Sequence, residues 1–129
     1  MAFNILIVDD SKVVRSIIEK TLRMGKIPLG ELYFAGNGKE ALELIDQHWV
    51  DVIFADINMP VMNGVEMIEK LSENGVTKSI PVIIVSTEGS TTRIEHLKSK
   101  GVTAYVRKPF APEEFNSVVN DVLGTTNNV

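Results

Sequence analysis

The chain has no cysteine, which excludes disulfides, thiol nucleophiles and cysteine-ligated metals. Its two histidines, His48 and His96, stand far apart, so a zinc centre built on clustered nitrogen and sulfur ligands is not expected. No stretch of the sequence approaches the roughly 18 consecutive apolar residues of a membrane-spanning helix. Positive charge is in deficit, with 13 Lys and Arg against 17 Asp and Glu and a formal net charge of −4. That balance argues against nucleic-acid binding, which needs a basic footprint. Internal repeats and low-complexity tracts are missing as well. Met1-Ala2-Phe3-Asn4 leads straight into a strand-like run, so no signal peptide is expected and the expected location is cytoplasmic. What remains is 129 residues, the size of one ordinary globular domain.

Within that length, short apolar runs alternate with amphipathic segments. Phe3–Val8, Val52–Ala55, Pro81–Val85 and Ala104–Val106 are near-continuous apolar runs, and Leu32–Ala35 is a weaker fifth. Continuous Val/Ile-rich runs are the mark of strands covered on both faces, as in a parallel sheet. Between them the period becomes helical. Val13, Val14, Ile17, Ile18 and Leu22 fall on one stripe, as do Ala41, Leu42, Ile45 and Trp49, then Val65, Ile68 and Leu71, and finally Phe115, Val118, Val119, Val122 and Leu123. A more polar helix is expected over 92–100. Asn37 with Glu40, Asn63 with Glu66 and Thr92 with Glu95 place a capping residue three positions before a Glu. Pro112 opens the last helix, and Gly25, Gly75, Gly101 and Gly124 stand where helices should stop. Five strand–helix units make a doubly wound α/β sheet, because parallel crossovers are right-handed and need a helix.

Ligands of such sheets bind outside the carboxyl ends of the strands. Asp9 and Asp10 follow the first strand, Asp56 the third, Ser86 the fourth and Lys108 the fifth. Taken singly, each has a plain structural reading: Asp-Asp-Ser as a helix cap, Asp56 as a turn residue, Ser86-Thr87 as a cap, Lys108 as a solvated lysine. Together they bring three carboxylates, a hydroxyl and an ammonium to one edge. Crowded carboxylates repel unless a cation joins them, and an oxygen-only set with open positions suits Mg²⁺ above all. A carboxylate beside such an ion, facing an ammonium and a hydroxyl, is fitted to accept a phosphoryl group. Tyr105, on the strand face opposite Ala104 and Val106, reads equally as a packed edge aromatic or as part of a switch.

The segments ILIVDDS, DVIFADINMPVMNG, PVIIVST and YVRKPF, and the separations among Asp56, Ser86 and Lys108, resemble the receiver domain of two-component response regulators from about Phe3 to Leu123. The resemblance implies a five-stranded parallel sheet of order 2-1-3-4-5 flanked by five helices, with residues 1–124 as the receiver domain and 125–129 as a flexible tail. It implies Asp56 as phosphoacceptor and Mg²⁺ held by Asp9, Asp10, Asp56 and the backbone carbonyl of Asn58. It further implies Ser86 as switch hydroxyl, Lys108 as the group that grips the phosphoryl oxygens with a cis peptide at Pro109, and Tyr105 as a rotating aromatic. The output face would be the last helix–strand–helix surface, around Thr91–Lys100, Val102–Arg107 and Ala111–Val118. The donor would be a histidine kinase or phosphotransfer domain, and the reader a downstream protein.

Asp-x-Asn-Met-Pro-x-Met-Asn-Gly, the pair Asn58 and Glu88, and the lack of an output domain bring the chain nearest to stand-alone chemotaxis regulators, whose target would be a flagellar motor switch. A monomer is expected. Thr87 stands where the family commonly has alanine, and is expected to tune the kinetics. A stand-alone phosphorelay receiver outside chemotaxis is the alternative reading, and a small Mg²⁺-dependent phosphohydrolase with an aspartyl nucleophile is a remote one. Against the last, 129 residues leave no cap domain to enclose a substrate.

Overall fold

The computed structural model describes residues 2–87 and 91–124. The apolar runs form five strands: β1 (Phe3–Val8), β2 (Leu29–Ala35), β3 (Val52–Ala55), β4 (Val82–Ser86) and β5 (Ala104–Arg107). They lie in the order β2-β1-β3-β4-β5, every neighbouring pair parallel. The helices are α1 (Lys12–Met24), α2 (Gly38–Gln47), α3 (Gly64–Ser72), the single turn α4 (Gly75–Lys78), α5 (Thr91–Ser99) and α6 (Pro112–Leu123). The strand order expected from the family resemblance is the one observed.

Side chains alternate across a strand, so each apolar run feeds two cores. Leu6, Val8, Ile53, Ala55 and Ile84 pack with Ala41, Ile68 and Leu97 of α2, α3 and α5. Ile5, Ile7, Phe54, Ile83 and Val85 pack with Ile18, Leu22, Phe115 and Val119 of α1 and α6. All positions of β3 and β4 are buried, which is why those runs read as uninterrupted. Phe115 stacks on Phe54 at 5.2 Å and meets Phe110 at 4.8 Å between ring centres. Each such buried side chain is worth roughly 1.5–3 kcal/mol of transfer free energy. Tyr105 packs against the first core while Ala104 and Val106 belong to the second, as strand alternation requires.

Several local expectations are corrected. The expected α1 stripe names five apolar residues, but Val13 and Ile17 are 68% and 48% exposed, because the stripe spans a wider arc than the sheet can cover. Strand β2 begins at Leu29, three residues early; Leu29 pairs with Phe3 of β1 across an irregularity in register at Gly30 and Glu31, whose polarity had ended the run in the sequence. Gly75 opens α4 instead of closing α3. Asn74 caps that turn by accepting the Val76 N–H at 2.8 Å, making a sixth helix where five were expected. Thr92 lies inside α5, which starts at Thr91; a run of hydroxyl residues precedes Glu95, and spacing alone does not choose among them. The Asn37 cap and the complete Asn63–Glu66 capping box are present. The tail over 125–129 and Glu88 lie outside the described residues.

Candidate functional site

The strand order reverses at β1, flanked by β2 and β3, and such a reversal opens a crevice at the strands' carboxyl ends. Three residues stand one step beyond those ends, each fixed by a backbone bond to the neighbouring strand. The Asp9 N–H donates to the Ala35 carbonyl at 3.0 Å, the Asp56 N–H to Val8 at 3.1 Å and the Lys108 N–H to Ser86 at 2.9 Å. The chain therefore holds its reactive groups by extending the sheet ladder. The peptide Lys108–Pro109 is cis, as the family resemblance implied.

Carboxylate oxygens of Asp9, Asp10 and Asp56 all lie within 4.8 Å of one another. The Lys108 ammonium bridges two of them, donating to Asp9 Oδ2 at 3.0 Å and Asp56 Oδ2 at 3.3 Å. The Ser11 N–H donates to Asp9 Oδ1 at 2.9 Å, and the Ile57 N–H to Asp56 Oδ1 at 2.7 Å. The helix cap is Ser11, whose hydroxyl accepts the Val14 N–H at 3.2 Å. The two aspartates before it are thus not consumed in capping.

Asp9 is buried, Asp56 half-buried and Asp10 exposed. Burial pushes the Asp9 carboxyl above the usual carboxylate range, and the Asp56 charge adds to this; the Ser11 N–H and Lys108 pull it back without prevailing. Burial opposes the charge on Lys108, yet Asp9 and Asp56 outweigh it and hold the ammonium above the usual lysine range. One ammonium thus bridges two of the three acids. Two ligands across a Mg²⁺ ion sit about 4 Å apart, given bonds of 2.0–2.1 Å. An all-oxygen set converging within 4.8 Å fits that ion with small adjustments, and the exposed Asp10 leaves an open side for water or phosphate oxygens.

The remaining expected residues surround this cluster in different ways. Ser86 is fully buried at the end of β4, paired in register with Arg107 of β5. Asn58 and Thr87 are exposed and Tyr105 half-buried. His48 stacks on Tyr33 at 4.5 Å, and Trp49 is exposed with its indole N–H on Asp51; neither belongs to the site.

Two features went unread in the sequence. The first is Gly64 at the start of α3. A methyl there would overlap the Asp56 carbonyl oxygen and stand 3.1 Å from Ile57 Cα, while the Gly64 N–H donates to Ile57 O at 2.8 Å. Met62 ties the same loop to α2, its carbonyl accepting the Gly38 N–H at 2.9 Å. Between these anchors the Met62 N–H reaches Pro60 O at 2.7 Å around Val61, whose φ of 66° is strained for a β-branched residue. The second feature is Arg15, whose Nη1 donates to the Asp9 carbonyl oxygen at 2.6 Å. Its signal was position: four residues past the cap Ser11, on a helix whose side chains lean back toward their N-terminus.

The chain is similar over most of its length to known proteins. Residues 5–120 match the model of the response regulator receiver domain. A chemotaxis protein CheY homolog from Campylobacter jejuni is 38% identical over 123 residues, covering 94% of this chain and 92% of the relative. The two-component response regulator ORR3 of Oryza sativa is 33% identical over 121 residues, covering 93% and 90%. The solved structure of Vibrio cholerae chemotaxis protein CheY4 superimposes with a TM-score of 0.85 at 32% identity, covering 95% of this chain and all of that one. The sheet order, the three converging acids and these matches agree, and the chain belongs to the response regulator receiver domain family.

Proposed function

We propose that the chain is a phosphorylation-activated switch that takes a phosphoryl group on Asp56 from a histidine kinase or phosphotransfer domain and signals in chemotaxis. The observation that carries this reading is the meeting of Asp9, Asp10 and Asp56 within 4.8 Å, with Lys108 bridging Asp9 and Asp56. As a receiver domain it is not an enzyme for an outside metabolite, and the phosphohydrolase alternative falls away.

In the transfer, an Asp56 carboxylate oxygen attacks the phosphorus in line. The new O–P bond forms as the N–P bond to the donor imidazole breaks, and the imidazole leaves with the bonding pair. Asp9, Asp10, Asp56 and the Asn58 carbonyl would hold Mg²⁺, which when bound neutralises negative charge on the phosphoryl oxygens. Lys108 supplies a second positive charge that is already fixed in place. The Ser86 hydroxyl donates to a phosphoryl oxygen, and Tyr105 takes up the space that the hydroxyl leaves. Phosphate favours one state only through contacts it makes there, and Ser86 and Lys108 stand at the ends of β4 and β5 to make them.

The output face is then α5, β5 and α6. It carries a hollow of about 270 Å³ lined by Ile94, Tyr105, Val106, Arg107, Glu114 and Val118, fitted to an apolar side chain with a polar neighbour. Similarity to chemotaxis proteins of two organisms supports a flagellar motor switch as the reader, with a cytoplasmic, monomeric receiver of residues 1–124. The likeness to ORR3 keeps a phosphorelay outside chemotaxis as a second reading. Intact-mass analysis with Mg²⁺ and a small phosphodonor should show one added phosphoryl group, absent in Asp56→Asn. No added mass on the unsubstituted chain would refute the switch. Phosphorylation-dependent binding to a motor-switch protein separates chemotaxis from the second reading.

A further inference from the structure

We propose that Arg15 is a positioning residue for the Mg²⁺ site, acting through the Asp9–Asp10 peptide; the inference rests on the reading of that site given above. Arg15 is half-buried in the first turns of α1. Its Nη1 donates to the Asp9 carbonyl oxygen at 2.6 Å, a charge-assisted bond of the short, strong kind. A peptide group is planar, so fixing the Asp9 oxygen also fixes the Asp10 nitrogen on the far side of the same plane. The direction in which Asp10 leaves the backbone is then set. Asp9 itself is held at every other polar point: its N–H by Ala35, Oδ1 by Ser11 and Oδ2 by Lys108. Asp10 is the exposed member of the triad, and among the described residues no hydrogen bond or ion pair orients its carboxylate. Its aim depends on the backbone beneath it, and Arg15 is the side chain that clamps that backbone.

The guanidinium packs beside Gly36. It lies over Gly36, 3.6 Å from where a Cβ would stand, and Glu40 Oε1 lies at the same 3.6 Å from that point. Glu40 is anchored in turn, accepting the Gly36 N–H at 2.9 Å. A carboxylate therefore stands on the same glycine as the guanidinium.

Charge and position predict opposite outcomes. As a bare positive charge near the acids, Arg15 would repel a divalent cation, and its removal would tighten Mg²⁺ binding. As a clamp on the ligand backbone, its removal weakens Mg²⁺ binding by roughly tenfold or more, the usual effect of losing a group that orients a metal ligand. Calorimetric Mg²⁺ titration of the full chain decides between them. The expected order of affinity is wild type, then Arg15→Lys, which keeps the charge but presents a rotatable ammonium in place of a planar fork, then Arg15→Met. Unchanged or tighter binding by Arg15→Met overturns the proposal. Should Arg15→Met not fold, as judged by circular dichroism in EDTA, wild type and Arg15→Lys are compared directly, and equal affinities overturn it. A wild type that itself binds no Mg²⁺, when measured beside Asp10→Ala, overturns the metal-site reading and the proposal with it. A wild type that binds while Arg15→Met matches it overturns the proposal alone.

Discussion

Removing the Lys108 ammonium should destabilise the protein strongly without metal and much less with it. Lys108 Nζ lies 3.0 Å from Asp9 and 3.3 Å from Asp56, with side-chain exposures of 18%, 2% and 14% for the three residues. At 3.0 Å and an effective dielectric near 20, Coulomb attraction for one pair is about 5.5 kcal/mol. Burial of the lysine offsets part of that. Deleting one partner of a buried pair costs about 3–5 kcal/mol. The lower end applies here, because Asp9 can take up a proton once the lysine is gone and Asp56 reaches solvent. Lys108→Met should therefore lose about 3 kcal/mol in EDTA, a large share of a domain's usual 5–15 kcal/mol. In saturating Mg²⁺ the acids regain a counter-charge, and about half the loss should return. The same electrostatics predict Mg²⁺ affinity about tenfold tighter in Lys108→Met, equivalent to roughly 1.4 kcal/mol. Urea unfolding followed by circular dichroism suits the measurement, since Trp49 is already 69% exposed and its fluorescence responds weakly. An equal loss with and without Mg²⁺, or weaker Mg²⁺ binding, would refute the reasoning, because the ammonium would then not be the acids' resident counter-charge.

The raised Asp9 carboxyl gives a pH dependence of unusual sign. The native state holds the Asp9 proton more tightly than the unfolded chain, so metal-free stability falls as pH rises from the ordinary carboxylate value through the raised native one. Urea midpoints in EDTA should show this descent in wild type and a flatter profile in Asp9→Asn; identical profiles would count against it. Lys108 contributes the opposite limb at high pH, its stabilisation present below the ordinary lysine range and lost as pH passes its raised native value. Gly64→Ala should cost about 1–3 kcal/mol through overpacking and slow phosphorylation of Asp56, since the methyl meets the Asp56 carbonyl; unchanged stability and phosphorylation rate would show that the loop yields freely. Thr87→Ala is expected to change the rates of phosphoryl gain or loss, and both rates unchanged would remove Thr87 from the site.

Most of the site was legible because the features that mark strand ends also mark the functional edge. The apolar runs stop at Asp9, Asp56 and Ser86, and a parallel sheet forces those stops onto one side. Ladder bonds from Asp9 to Ala35 and from Asp56 to Val8 then convert a sequence boundary into a side-chain position. The features that went unread depend on packing between segments distant in sequence. Gly64 reads as an ordinary residue after a capping asparagine until the Asp56 carbonyl is seen against it. Arg15 reads as a polar residue on an amphipathic helix until its guanidinium is found on the Asp9 carbonyl. Val13 and Ile17 erred the other way, because an apolar stripe shows what could be buried and not how much surface the sheet offers. The single turn α4 has no hydrophobic period at all and depends on Asn74 as its cap.

On the proposed function, the arrangement of charges would let the same residues serve two states. Without metal, Lys108 divides its bonds between Asp9 and Asp56, and Asp9 is left with a carboxyl that burial makes reluctant to ionise. A divalent cation on the acids takes over the demand from Asp9. On the proposed function, a phosphoryl group on Asp56 would then add negative charge beside an ammonium that Asp9 and Asp56 hold in its charged form against the opposing effect of burial. Lys108 has a bond to exchange rather than one to create, so gripping the phosphoryl group requires little new ordering of the side chain. Its backbone N–H is bonded to the Ser86 carbonyl at 2.9 Å, and Ser86 is in register with Arg107 on β5. A pull on either side chain by the phosphoryl oxygens is therefore applied to the ends of β4 and β5 together. Those two strands meet α5 and α6 at the surface proposed for output, so on the proposed function a charge added at Asp56 would act on that face through adjoining, hydrogen-bonded backbone.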